Sequence, residues 1–239
     1  MKCIEKVIVL FLALLLLACS ENESNTLREM KSDKLFSESF SENELENLAK
    51  IVDFFESQIC LDKSKSKEQC YFVFNQKIGK EFFKEELEFS QLFDYEKQQK
   101  LYKNIDTVFF KEIWVKRMSA FGNEDFKLSK HYDLKINGKY AEFLKKFCGE
   151  NLFYEGYYKR LNITGEVHYR HFIDGFKNLK LEDLKDVKVR LLSAVHYLTN
   201  FEVSQFPYKR EKNQSFYIAP LSVSVIAAFC RNTSAPIVI

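Results

Sequence analysis

Proline is nearly absent from this sequence. Its three prolines are Pro207, Pro220 and Pro236, so the first 206 residues contain none. Proline interrupts helices because its ring clashes with the preceding turn and it lacks a backbone N–H donor. Nothing of this kind interrupts residues 41–206, where the apolar spacing is mostly helical. The sequence therefore predicts a mostly α-helical bundle with little β structure.

Glycine and histidine are also scarce, with seven and four copies. The glycines never cluster, so there is no phosphate-binding loop or dinucleotide fingerprint, and we predict no cofactor. His168 and His171 are three residues apart and could join His196 at a metal if their segment is helical. Histidines with ordinary polar partners are the commoner case, so we predict no metal site. An enzyme whose site is assembled from distant helices remains an alternative to a non-enzymatic protein.

Neither sign of charge dominates. The chain has 36 basic and 34 acidic side chains, a formal net charge of +2. This balance gives little attraction to a polyphosphate backbone, so nucleic acid is not an expected partner. Apolar residues make up 46% of the chain, which is enough for a substantial core.

The first residues have the composition of a secretory signal. Lys2 and Lys6 supply positive charge, residues 7–18 are all apolar, and Cys19 follows them. At about 1.5 Å per residue the apolar run spans about 18 Å, short of the ~30 Å hydrocarbon core of a bilayer. We therefore predict a cleaved signal peptide over residues 1–18 rather than a permanent transmembrane helix.

The end of this run, Leu16-Leu17-Ala18-Cys19, resembles the lipobox of bacterial lipoproteins. The resemblance implies cleavage before Cys19, a diacylglycerol on its thiol and an acyl group such as palmitate on the new amine. Because two or three acyl chains anchor a protein firmly, it also implies the lipid bilayer as a partner. Ser20 stands where an aspartate would resemble an inner-membrane retention signal, which favours the outer membrane or the cell surface.

Four cysteines remain once Cys3 leaves with the signal and Cys19 takes the lipid. They are Cys60, Cys70, Cys148 and Cys230. A secreted protein reaches a compartment where disulfides persist, and four cysteines allow three connectivities. The first two flank a polar turn, which favours pairing them and leaves Cys148 with Cys230.

The mature chain divides into three parts. Residues 19–40 are polar without a period, which predicts a flexible tether. Residues 41–206 are the helical domain. Residues 207–239 contain all three prolines and a long apolar stretch, which predicts an extended tail docked on the domain through the Cys148–Cys230 bond. Edge strands or a shifted reading frame are the alternatives for this tail.

Local signals place elements within the domain. Ser41 with Glu44 and Ser66 with Gln69 form capping boxes, which predict the starts of two helices in a hairpin with the first cysteine pair at its neck. Asn137-Gly138 predicts a turn. Further predictions are a helix over 95–118, a loop over 121–130, and a short strand or an extended approach to the turn over 131–136. Helices are predicted over 140–147, 152–161 and 184–198, and a strand is possible over 163–173.

One aromatic cluster suggests a binding surface. Tyr154, Tyr157, Tyr158 and Arg160 lie within one predicted helix, and Tyr and Arg are enriched at interface hot spots. In a chain with 12 Tyr and 24 Phe, the alternative is a core with a polar rim.

These observations favour a lipid-anchored, non-enzymatic binding module with an unknown envelope or extracellular protein as partner. A tethered envelope hydrolase and an immunity-type lipoprotein that binds a toxin are the alternatives. A deep pocket with converging carboxylates or histidines would favour the enzyme, and a broad exposed aromatic patch would favour binding.

Overall fold

Ten helices and one two-stranded sheet make up the part of the chain that the computed structural model describes, residues 23–84, 88–121, 127–148, 152–165 and 169–205. The fold is mostly α-helical, which confirms the predicted class. The helices are α1 (Asn25–Ser32), α2 (Lys34–Ser39), α3 (Glu42–Ile59), α4 (Lys67–Phe83), α5 (Tyr95–Asn104), α6 (Thr107–Ile113), α7 (Lys139–Cys148), α8 (Leu152–Thr164), α9 (Tyr169–Phe176) and α10 (Val187–Ser204). The strands are β1 (Trp114–Phe121) and β2 (Lys127–Leu134), and 3₁₀ turns lie at Phe89–Gln91 and Asp183–Lys185.

Helix α10 lies at the centre of the domain. Every residue from 189 to 199 is buried. The helix packs against α1, α3, β2 and both 3₁₀ turns. A helix that is covered on all sides needs apolar residues around its whole circumference, and Leu191, Leu192 and Val195 are completely buried.

The predicted helix hairpin is present as α3 and α4. Each helix begins with its capping box: the Ser41 N–H donates to Glu44 Oε2 at 2.7 Å, and the Ser66 N–H donates to Gln69 Oε1 at 2.9 Å. A disulfide joins Cys60 to Cys70, with their Cα atoms 5.2 Å apart, which confirms that pairing. For a loop of this length, the entropic account of disulfides gives about 3 kcal/mol of stabilisation.

The predicted tether over residues 19–40 is wrong for its larger part. Ser24 and Asp33 cap two helices, α1 and α2, whose inner residues Met30 and Phe36 are completely buried. Each helix is shorter than the window needed to recognise a helical period, and the chain turns between them, so their apolar residues look scattered in the sequence. Residues 19–22 lie outside the described part.

The helix predicted over 95–118 is three elements. Helix α5 ends at Asn104. Helix α6 begins after Asp106, whose carboxylate accepts from the N–H groups of Val108 and Phe109. From Trp114 onwards the chain is strand β1. It pairs antiparallel with β2, from Trp114 opposite Leu134 to Phe121 opposite Lys127, so the loop predicted over 121–130 is strand at both its ends. Residues 122–126 lie outside the described part.

Two glycines shape connections in the domain. The predicted Asn137-Gly138 turn is present, and a Cβ on Gly138 would lie 2.2 Å from the Glu112 carbonyl oxygen, so only glycine fits. Gly165 follows α8 with a φ of 77°, a conformation that glycine adopts readily. The possible strand over 163–173 is wrong, because residues 169–176 form α9.

Candidate functional site

Polar residues occur at every third position of the buried helix α10. They are Arg190, Ser193, His196, Thr199 and Glu202, and all five are at least nine-tenths buried. Three residues turn an α-helix by about 300°, so each member points about 60° away from the previous one. This series, called the polar spiral below, therefore winds around the helix, and its members face different neighbours.

The first member, Arg190, joins the N-terminal helices to α10. Its Nη1 donates to Glu56 Oε1 of α3 at 2.7 Å, and its Nη2 donates to Glu29 of α1. The second oxygen of Glu56 lies 2.9 Å from the ammonium of Lys67, which also donates to Thr26 Oγ1 at 2.8 Å. One connected network therefore links α1, α3, α4 and α10.

Burial disfavours the charged forms of Glu56 and Arg190 in this network. It raises the pKa of Glu56 to about 7, although the Lys67 hydrogen bond acts in the opposite direction. It lowers the pKa of Arg190 to about 10. Each charge is therefore costly to bury on its own, and the hydrogen bond between Arg190 and Glu56 offsets part of that cost.

His196 contacts α8 and α9. Its Nδ1 lies 3.1 Å from Tyr157 Oη, its Nε2 lies 2.9 Å from Asn200 Nδ2, and its ring stacks on Phe172 with centroids 3.5 Å apart. Each ring nitrogen of His196 therefore lies within hydrogen-bond distance of one neutral polar side chain. Burial raises the pKa of Tyr157, so this side chain stays a neutral phenol.

The last two members face β1 and α5. Trp114 Nε1 donates to Thr199 Oγ1 at 2.8 Å, which fixes the first residue of β1. Glu202 Oε2 accepts from Gln99 Nε2 at 2.8 Å and from Gln98 Nε2 at 3.4 Å. Burial raises the pKa of Glu202, with the two amide hydrogen bonds opposing the rise.

We expect Glu202→Gln to stabilise the protein at alkaline pH. The folded state raises the pKa of Glu202 above its ordinary value of 4.5, so stability is lost as pH rises through the folded pKa and regained as pH falls. Glutamine keeps an acceptor for Gln98 and Gln99 without the charge. The variant's advantage in urea denaturation should therefore be larger near about pH 8 than near about pH 5.

The control for this experiment is Glu46→Gln, at an exposed position of α3. An exposed substitution of this kind should change stability by less than about 0.5 kcal/mol at either pH. An advantage of Glu202→Gln that stays constant across the pH range would contradict the assigned role of burial.

The members of the polar spiral do not converge on one place in the domain. Four of its members bind side chains of different elements, and Ser193 donates to the Val189 carbonyl of its own helix. Within the described ranges, no three His, Cys, Asp or Glu side chains are grouped as metal ligands. The spiral is therefore suited to fixing the positions of the surrounding elements around α10.

The predicted tyrosine patch does not form one exposed surface. Tyr154 and Tyr157 are 6% and 3% exposed and belong to the core, Tyr158 is half-buried, and Arg160 is exposed. The helix α8 turns its first two tyrosines inward because Tyr157 meets His196 and Tyr154 packs on Phe147. The sequence alternative, a core with a polar rim, matches this arrangement.

Cys148 has no disulfide partner among the described residues, and its predicted partner Cys230 lies outside them, so the second disulfide stays a prediction. The side chain of Cys148 is 1% exposed within the hydrophobic core, and burial raises the pKa of the thiol to about 12. An apolar environment of this kind keeps the thiol neutral and inert. Cys19, Cys230 and the predicted tail over 207–239 lie outside the described residues.

Of the three histidines considered for a metal, the structure describes the surroundings of His196 alone. Its two ring nitrogens face Tyr157 and Asn200. His168 lies outside the described residues, and so does the side chain of His171. Sequence reasoning missed the polar spiral, although polar residues at intervals of three in an otherwise apolar helix were a visible signal.

No protein-family model, curated protein or solved structure matches the chain. Across the described ranges, no helix combines the length and the apolar character needed to span a membrane.

Proposed function

We propose that this protein is a lipoprotein of the bacterial envelope, anchored through Cys19 at the outer membrane or cell surface, whose helical domain is a non-enzymatic binding module. The observation that carries the anchoring proposal is the lipobox-like Leu16-Leu17-Ala18-Cys19 at the end of the apolar run. The Cys60–Cys70 disulfide supports it, because such bonds persist in exported proteins.

The early start of the fold supports a domain held at the bilayer. Helix α1 begins at Asn25 and is capped by Ser24, five residues after Cys19. Five residues span at most about 18 Å when fully extended. A lipid on Cys19 therefore restricts the domain to the neighbourhood of the membrane surface.

The distribution of polar groups supports a binding module over a hydrolase. The polar side chains of the polar spiral are deeply buried, and four of them contact different elements. A hydrolase needs such groups to converge on one substrate. The partner is proposed to be an envelope or extracellular protein, and the immunity-type alternative stays a prediction.

We expect Cys19→Ser to abolish lipidation and release the protein from the membrane fraction. Serine lacks the thiol that takes the diacylglycerol, and without acyl chains no hydrophobic anchor remains after processing. Intact-mass measurement and membrane fractionation test this outcome.

The matched control is Cys3→Ser, a thiol within the predicted signal peptide. It should leave the mature mass and the fractionation unchanged. An unmodified thiol at position 19 in the wild-type protein would reject the proposal.

A further inference from the structure

The loop between α3 and α4 presents an unusual exposed side chain. Leu61 is 83% exposed, and it directly follows the disulfide residue Cys60. Lys63 and Lys65 are also exposed, and Lys65 pairs with Asp62 at 3.3 Å in an ion pair open to solvent. The disulfide closes this loop, residues 60–70, so its backbone loses little freedom when it meets another surface.

The loop lies at the end of the domain where the chain from Cys19 enters. Helix α1 runs antiparallel to α3: Lys31 near the end of α1 pairs with Glu42 at the start of α3. Near the start of α1, Thr26 Oγ1 lies 2.5 Å from Asp53 Oδ1 and 2.8 Å from Lys67 Nζ. The first turn of α1 is therefore beside the end of α3 and the disulfide-closed loop.

We propose that this loop contacts an anionic lipid bilayer, with Leu61 entering the boundary of headgroups and acyl chains and Lys63 and Lys65 lying among the phosphates. The inference rests on the proposed lipid anchor at Cys19. The chain from Cys19 to Ser24 reaches at most about 18 Å, so the end of the domain beside Thr26 is the end held at the bilayer.

The chemistry of the loop fits a lipid surface. Interfacial segments combine an apolar side chain that enters the acyl boundary with lysines that attract anionic headgroups. The exposed Asp62–Lys65 pair is weak enough for the ammonium to exchange its partner for a phosphate. A partner protein bound at the loop would have to fit between the domain and the bilayer, within the short distance that the chain from Cys19 to Ser24 can span.

The test compares tryptophan substitutions in the full-length, lipidated protein. Leu61→Trp reports on the loop, and Val108→Trp is the matched control because Val108 is also exposed, at 75%. Helix α6, which contains Val108, is fixed near the start of α3, where the Asp106 N–H donates to Asn47 Oδ1 at 3.0 Å. Asn47 lies twelve residues before Ile59, which is about 18 Å along the helix and away from the loop.

Each variant is inserted into phosphatidylcholine vesicles with brominated acyl chains, with and without phosphatidylglycerol. Trp114 is 1% exposed, so its signal is a common background that the parent protein measures. We expect the bromine atoms to quench Leu61→Trp several-fold more than Val108→Trp, and more strongly when phosphatidylglycerol is present. Lys63→Glu in the Leu61→Trp background should remove the difference between the two lipid compositions.

Equal quenching of the two variants would overturn the proposal. An indole at position 61 that is shielded from aqueous acrylamide but not quenched by brominated lipid would also overturn the proposal. That result would indicate that protein, and not lipid, covers the loop. The intact mass of each preparation shows whether Cys19 carries the lipid, so it distinguishes a failed loop contact from a failed anchor. A lipidated protein without quenching rejects the loop contact alone, whereas an unmodified Cys19 rejects the anchoring on which it rests.

Discussion

Replacing Arg190 by methionine should lower the free energy of unfolding by about 3–5 kcal/mol. The guanidinium is 1% exposed and donates to Glu56 and Glu29, so its loss removes contacts among three helices. Methionine fills much of the volume but leaves the buried Glu56 carboxyl with Lys67 as its cationic partner. Urea denaturation of the wild type and variant measures the loss.

A double variant identifies the origin of this effect. Adding Glu56→Gln to Arg190→Met removes the buried carboxylate that has lost its Arg190 contact, so the double variant should recover part of the stability lost in the single variant. Lys185→Met is the control for an exposed ion pair, since its 2.7 Å contact with Glu182 is open to solvent, and it should change stability far less than Arg190→Met. An Arg190→Met effect as small as that of Lys185→Met would contradict a structural role for the network.

Phe36→Ala should also destabilise the protein, by about 3–5 kcal/mol, because it leaves a cavity in the core. Phe36 is completely buried in α2, and its ring stacks on Phe143 of α7 with centroids 4.8 Å apart. The same substitution in a flexible tether would have no effect on stability. Urea denaturation therefore distinguishes a folded segment before residue 41 from a tether.

The neighbouring residue supplies the control for this experiment. Ser37 is exposed on the same short helix and donates to the Lys34 carbonyl. Ser37→Ala should change stability by less than about 0.5 kcal/mol, as surface substitutions usually do. If Phe36→Ala were as mild as Ser37→Ala, the segment would not belong to the cooperative fold.

Sequence signals that act over a few residues predicted the structure well. The capping boxes at Ser41 and Ser66 mark the starts of α3 and α4, where their side chains satisfy N–H groups that have no partner within the helix. The pairing of Cys60 with Cys70 followed from the same short stretch of chain. These predictions succeeded because the interactions that decide them are local.

Features that depend on distant partners were missed. The residues around Trp114 have a helical spacing, yet they form a strand because β2 lies opposite and Thr199 binds the indole N–H. Phe36 belongs to an apolar pattern without a period, and its burial depends on Phe143, which is more than a hundred residues away in the chain. The polar spiral was missed for the same reason, since its meaning depends on which element each side chain meets.

The position of α10 in the chain determines when the protein can fold. It is the last described element, and its contacts reach far back: Arg190 binds Glu56 across 134 residues and Glu29 across 161. Until the ribosome has added residues 187–204, the faces of α1 and α3 that pack on α10 lack this partner. A fold completed by its last helix would suit the proposed export, because a chain that is threaded through a secretion channel must be unfolded. Under that proposal, its apolar segments would need protection by chaperones between synthesis and export.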